Sequence, residues 1–156
     1  MKTNYLLPYS YKSLGWFLFL IGLIAGCLLF FNDYEYPNLT IKVFSLYYEG
    51  IFDSLDGLFK IVHNNIADEI AAAMIIVGGL LVGFTKEKVE DEFIYKLRKD
   101  SLVWGIIFNY IVLIFSIIFI YDMAFFHVLV LNMFTPLMFF IFRFNFLKLK
   151  SRSDEE

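Results

Sequence analysis

Residues 101–142 read SLVWGIIFNYIVLIFSIIFIYDMAFFHVLVLNMFTPLMFFIF, and within them only Asp122 carries a full charge. It divides uncharged runs of 21 and 20 residues, closed at their far ends by Asp100 and Arg143. An α-helix rises about 1.5 Å per residue, so about 20 residues cross a hydrocarbon layer of ~30 Å. Two spans therefore follow one another with only Tyr121-Asp122-Met123 between them. So short a link forces an antiparallel hairpin, which sets Asn109 level with Pro136 and Ser116 level with Leu129.

The same reading extends to the rest of the chain. Lys12 and Asp33 bound 20 uncharged residues, and Glu69 and Lys86 bound 16. The shorter run reaches a workable length by starting at Ala67, with Asp68 and Glu69 in a first helical turn where the macrodipole favours negative charge. The expectation is an all-α membrane protein, a single domain of four transmembrane helices arranged as two antiparallel hairpins. The spans fall at 13–32, 67–85, 101–121 and 123–146, with an outer connection at 33–66, a cytoplasmic connection at 86–100 and a tail at 147–156.

Composition agrees. Of 156 residues 60% are hydrophobic, twenty are Phe, and the mean hydropathy is +0.68. A soluble core of this length cannot hide so much apolar surface. One cysteine excludes a disulfide scaffold, and a net charge of -3 argues against direct binding of nucleic acid.

Orientation follows from Lys and Arg. Lys2, Lys12, Lys86, Lys88, Lys96, Arg98, Lys99, Arg143, Lys148, Lys150 and Arg152 fall on one side, and only Lys42 and Lys60 on the other. Both termini are expected in the cytoplasm.

In the outer connection Leu55, Leu58, Phe59, Val62 and Ile66 share a helical stripe, which predicts an amphipathic helix at the interface, capped by Asp53 or Ser54. Leu39-Thr40-Ile41-Lys42-Val43 alternates and suggests a short extended stretch. Tyr34, Tyr36, Tyr47 and Tyr48 suit a membrane boundary. Asp53-Ser54-Leu55-Asp56-Gly57 lacks the alternating ligands and terminal Glu of a calcium loop and reads as a turn or helix start. Asn38-Leu39-Thr40 is a glycosylation sequon, meaningful only in a eukaryotic secretory pathway.

The cytoplasmic connection mixes five basic and five acidic residues across 85–100. Val89, Phe93 and Leu97 recur at four-residue spacing and Glu92 precedes Lys96 by four, as in an amphipathic helix. It reads either as a solvated extension of the third span along the bilayer surface or as a docking surface formed by Glu90, Glu92, Lys96 and Arg98.

Inside the spans, Gly15, Gly22 and Gly26 lie on nearly one face of the first helix, and Ala72, Gly79 and Gly83 on one face of the second. Small residues at this spacing allow close helix approach. They are expected to join the first two helices, Gly15 near Gly83 and Gly26 near Ala72, with homodimerisation as the alternative. Asn109, Asn132 and Thr135 form a candidate polar layer between the last two helices, beside the carbonyl that Pro136 frees at Asn132. Such a layer serves as helix–helix glue or lines a path. Arg143 lies close enough to the cytoplasmic side to snorkel.

Ile24-Ala25-Gly26-Cys27 matches a lipoprotein cleavage pattern, yet the apolar run continues past the cysteine through Leu28, Leu29, Phe30 and Phe31. Cys27 is therefore expected as a small buried side chain. His63 and His127 fall at similar outer depths, where two imidazoles in principle ligate a haem or metal; the plainer reading is interfacial hydrogen bonding. No catalytic residues, cofactor site or metal site are expected.

The stretch KEKVEDEFIYKLRKDSLVW (residues 86–104), with Asn109-Tyr110 and NMFTPLMFFIFRFNF (residues 132–146), resembles small uncharacterised four-helix inner-membrane proteins of Bacteroidetes-type bacteria. The resemblance covers the C-terminal half well and the rest loosely. It implies a bacterial inner membrane, a periplasmic outer side and an unglycosylated Asn38. Proteins of this kind are often encoded beside a small helix-turn-helix regulator, which implies a regulatory pairing; the resemblance carries no catalytic residues. No HExxH, GxSxG or nucleophile–base pair is present. The expected function is non-enzymatic: a membrane-embedded interaction or regulatory partner of a cytoplasmic protein, working through the charged helix. The alternative is a small oligomeric transporter or channel using the polar layer.

Overall fold

The computed structural model describes residues 5–31, 39–48 and 57–153, with backbone alone for Tyr48, Arg152 and Ser153. The elements run α1 (Tyr11–Phe31), β1 (Thr40–Tyr48), β2 (Gly57–Asn65), α2 (Ala67–Phe84), α3 (Glu92–Phe119) and α4 (Asp122–Ser153). All four helices are long and apolar enough to cross a membrane, as in a multi-pass membrane protein. Asp68 and Glu69 occupy the first turn of α2 as expected.

One expectation about secondary structure is corrected. The amphipathic helix of the outer connection is absent from the described residues, and in its place β1 and β2 form an antiparallel pair, from Thr40↔Asn65 to Tyr48↔Gly57. The segment Leu58-Phe59-Lys60-Ile61-Val62 is apolar on both faces, so a short window fits a helical and a strand period alike. Pairing with the alternating, β-branched stretch at 40–43 decides for the strand, and Phe44 stacks on Phe59 with centroids 6.2 Å apart. The expected caps Asp53 and Ser54, with Leu55, the run 53–56 of the calcium-like motif, the sequon residue Asn38, and Tyr34 and Tyr36 lie outside the described residues.

The charged connection at 86–100 carries part of the helix expected there, as an extension of the third span. Its second half is the start of α3, a continuous helix from Glu92, and residues 85–91 are irregular. Asp91 caps this helix, its Oδ1 accepting the Ile94 N–H at 2.7 Å. Glu, Lys, Arg and Leu are good helix formers, so the helix continues into the apolar span without interruption. The tail likewise extends α4 to Ser153.

The chain forms two compact units. The unit Gly22–Ala73 holds the sheet, the end of α1 and the start of α2. Its buried cluster is Leu29, Ala67 and Ala71, with Ala25 packed against it. Asn64 donates to Glu69 at 2.6 Å and Asn65 Oδ1 accepts the Ala67 N–H, so the end of β2 is bonded to the start of α2. Cys27 is exposed, which corrects the expectation of a buried side chain. It shares the apolar outer face of α1 with Ile24, Leu28 and Phe31, a turn away from the Ala25–Leu29 face.

The other unit comprises Met1–Ile21 and Met74–Glu156. A Cβ built on Gly78 would lie 2.4 Å from the Phe19 nitrogen, and one on Gly15 would lie 2.7 Å from Leu81 Cβ. These α1 and α2 segments therefore touch backbone to backbone. They are antiparallel, since the later residue of one meets the earlier residue of the other. Phe19, Val82, Phe140, Ile141 and Phe144 are the large apolar side chains fully buried there. Between α3 and α4, Arg143 bonds Ser101, Gly105 abuts the Pro136 carbonyl and Phe108 stacks on Phe139. That register matches the one expected from the short link.

Candidate functional site

The unit Met1–Ile21, Met74–Glu156 gathers most of its described ion pairs where α2 ends and α3 begins. A helix end leaves carbonyls without helical partners. Here the segment before α1 supplies a donor: Leu7 N–H bonds the Phe84 carbonyl at 3.0 Å, and Lys86 N–H returns to the Leu7 carbonyl at 2.9 Å. Leu7 precedes Pro8, which favours the extended backbone such a bridge needs.

This strap brings Lys12, on the first turn of α1, onto Glu87. Lys12 Nζ and Lys148 Nζ both donate to Glu87 Oε1, the second at 2.9 Å, and all three side chains are largely buried. Burial alone would raise the Glu87 pKa. The hydrogen bonds and charges of Lys12 and Lys148 outweigh it and hold the carboxyl below its ordinary value.

Beside it, Arg98 on α3 grips Glu90 through both carboxylate oxygens and also donates to the Thr85 carbonyl at 3.3 Å. Glu90 Oε2 accepts the Glu87 N–H at 2.8 Å, joining the two clusters. Arg98 and Lys148 approach the Phe144 ring from 5.1 and 5.8 Å, so one aromatic ring serves two cations. Thr85 Oγ1 and Arg98 Nε are buried without a partner.

The four residues expected as a docking surface therefore separate. Glu90 and Arg98 bond each other inside the unit, and Arg98 is only 3% exposed. Glu92 and Lys96 are exposed, as are Lys99 and Asp100. Helix phase explains the division: Arg98 lies on the α3 face turned to Phe144, and Lys96 and Lys99 do not. Lys12, Thr85, Glu87 and Lys148 were not singled out from sequence, although Lys12 and Lys148 flank the first and fourth apolar runs at the same end.

Asn132 is buried and Asn109 half-buried, and the Oδ1 of each is buried without a hydrogen-bond partner. Thr135 donates to its own helix at Leu131, and Ser116 to Val112. The three polar side chains of Asn109, Asn132 and Thr135 thus share a region of the α3–α4 hairpin without bonding one another.

The packing glycines divide as well. Gly15 meets Leu81 and Val82 on α2, two residues short of the expected Gly83. Gly79 and Gly83 do not face α1; they receive Leu137, Ile141 and Phe140 of α4. The small residue of α2 that admits α1 is Gly78, which the GxxxG spacing does not include. Gly22 is buried, and Gly26 and Ala72 are half-buried, in the unit whose small core side chains are Ala25, Ala67 and Ala71.

His63 pairs with Lys42 across the sheet, and His127 donates from Nδ1 to the Met123 carbonyl at 2.8 Å. Among the described residues no three His, Cys, Asp or Glu side chains converge as metal ligands would. Comparison of the chain with protein-family models, curated proteins and solved structures returned no match.

Proposed function

We propose that the chain is a non-enzymatic protein of a bacterial inner membrane, with both termini in the cytoplasm, and that it serves as an interaction or regulatory partner of a cytoplasmic protein. The surface it presents is the charged start of α3: Glu92, Lys96, Lys99 and Asp100, with the exposed Val89 and Phe93 beside them. The observation that carries this reading is the buried ion-pair lock behind that surface. Arg98–Glu90 and Lys12–Glu87–Lys148 tie the loop and the helix start to α1 and α4. A partner then meets a preorganised face and little ordering entropy opposes binding. The basic side of the sequence and the resemblance to inner-membrane proteins support the orientation and the compartment.

Affinity purification from native membranes tests the proposal. Reversing Glu92 and Lys96 together is expected to remove a co-purifying cytoplasmic protein while the chain stays folded. An unchanged set of partners rejects it.

A second reading, a small oligomeric channel or transporter, is favoured by the two unpartnered amide oxygens of Asn109 and Asn132 within the membrane-crossing helices. Flux through reconstituted protein that Asn132→Leu abolishes supports it; absence of flux rejects it.

A further inference from the structure

Arg143 differs from every other described cation within the buried part of this unit. Arg98, Lys12 and Lys148 each hold a carboxylate. Arg143 is half-buried, and among the described residues it has no acidic partner within ion-pair distance, Asp100 included. Its hydrogen bond is a long one, 3.4 Å, to the hydroxyl of the fully buried Ser101, and its guanidinium lies 5.6 Å from the Trp104 ring centroid. A guanidinium has five N–H donors, so most of its capacity is unused. A half-buried guanidinium with donors still accessible favours an anion that meets it.

Depth and shape say which anion. Arg143 stands 21 residues beyond Asp122, about 32 Å along the helix, close to the ~30 Å of a hydrocarbon layer. Trp104, 18 residues before Asp122, is at nearly the same level, where an indole favours the headgroup boundary. From Trp104 an exposed apolar stripe runs back along α3 toward Asp122: Phe108, Ile111 and Phe115, at spacings of four, three and four. Such spacing keeps them on one face. Phe108 is braced by its stack on Phe139 of α4, with centroids 4.5 Å apart. An anion whose charge sits at the boundary and whose apolar part lies along the helix is a phospholipid.

We propose that this edge of the α3–α4 hairpin binds one anionic phospholipid, its phosphate held by the Arg143 guanidinium and an acyl chain laid along Trp104, Phe108, Ile111 and Phe115. Guanidinium–phosphate pairing is charge-assisted and bidentate, and Trp104 holds the guanidinium plane toward the headgroup. The site is independent of the cytoplasmic partner surface, so either proposal can fail alone.

The test uses the delipidated full chain with Trp16→Phe, which leaves Trp104 as the sole tryptophan. Short-chain phosphatidylglycerol, short-chain phosphatidylcholine and inorganic phosphate are titrated separately, read by Trp104 fluorescence and native mass spectrometry. The expected result is saturable binding of one phosphatidylglycerol, with phosphatidylcholine at least about tenfold weaker and inorganic phosphate without effect. Arg143→Gln should bring phosphatidylglycerol down to the phosphatidylcholine level, and Ile111→Ala should weaken both lipids. Equal binding of the two lipids overturns the proposal, as does a fluorescence response to inorganic phosphate alone. A dimer that excludes lipid would assign Arg143 to a second copy and overturn it too. The wild-type lipid comparison stands even if Arg143→Gln does not fold.

Discussion

Arg98 and Glu90, eight residues apart across the start of α3, are joined by both carboxylate oxygens at a site where the guanidinium is all but inaccessible and rests on the Phe144 ring. The pair makes a charged connection into a fixed part of the helical unit. A buried pair is weak evidence of net stability, because desolvation offsets the attraction. Breaking one partner is another matter.

Arg98→Met leaves Glu90 partly buried and unpaired, and is expected to destabilise the chain by about 3–5 kcal/mol. Glu90→Gln should cost less, because the amide oxygen still accepts a hydrogen bond. The double variant should fall short of the sum of the singles, since both remove one interaction. Unfolding in detergent micelles with a double-mutant cycle measures this, and strict additivity would show that the pair is not coupled.

Glu87 titrates below its ordinary value because Lys12 and Lys148 outweigh its burial. Its stabilising contribution is therefore complete above the unfolded carboxyl value, about 4.3, and is lost as pH falls through the lower folded value. Melting temperature followed from pH 6 downward should drop in that acidic window. Glu87→Gln should lower stability at pH 6 and flatten the drop.

Gly78 and Gly79 are neighbours with different obligations. A methyl on Gly78 meets the Phe19 backbone, which cannot give way without separating α1 from α2, whereas one on Gly79 meets the flexible end of Leu137. Gly78→Ala is expected to destabilise by about 1–3 kcal/mol, and Gly79→Ala by less. Thermal unfolding of the two variants decides the order.

Asp91 caps α3 through the Ile94 N–H. Asp91→Ala should weaken the helix start by about 1 kcal/mol. Faster amide hydrogen exchange is expected at residues 93–95 and no change near Trp104.

Asn132 keeps a buried carbonyl oxygen without a donor. Asn132→Leu removes that desolvation penalty and should raise the unfolding temperature in micelles. A lower unfolding temperature would instead mark Asn132 as glue between α3 and α4.

Much of this architecture was legible in the residues. The two uncharged runs around Asp122 set the α3–α4 register to within a turn, because a three-residue link admits a single depth match. The outer connection is ambiguous in sequence because Leu58, Phe59 and Val62 fit a helical stripe as well as a strand. What favours the strand is the antiparallel partner running from Thr40 opposite Asn65 to Tyr48 opposite Gly57, and the stripe 55–66 does not contain it. The docking residues divided for a related reason. Periodicity shows which side chains share a helix face, and says nothing of which face turns inward when the helix extends beyond its span.

The sequence by itself determined the four helices long and apolar enough to cross a membrane, the charge asymmetry along the chain and the α3–α4 pairing, since hydropathy, charge and link length are local properties. Only the tertiary structure decided that Gly78 admits α1 while Gly79 and Gly83 admit α4, that Arg98 turns inward to Glu90, and that Arg143 meets no acid among the described residues. Each of these depends on the rotation of one helix about its axis against its neighbours, and that angle is set by packing between residues far apart in the chain.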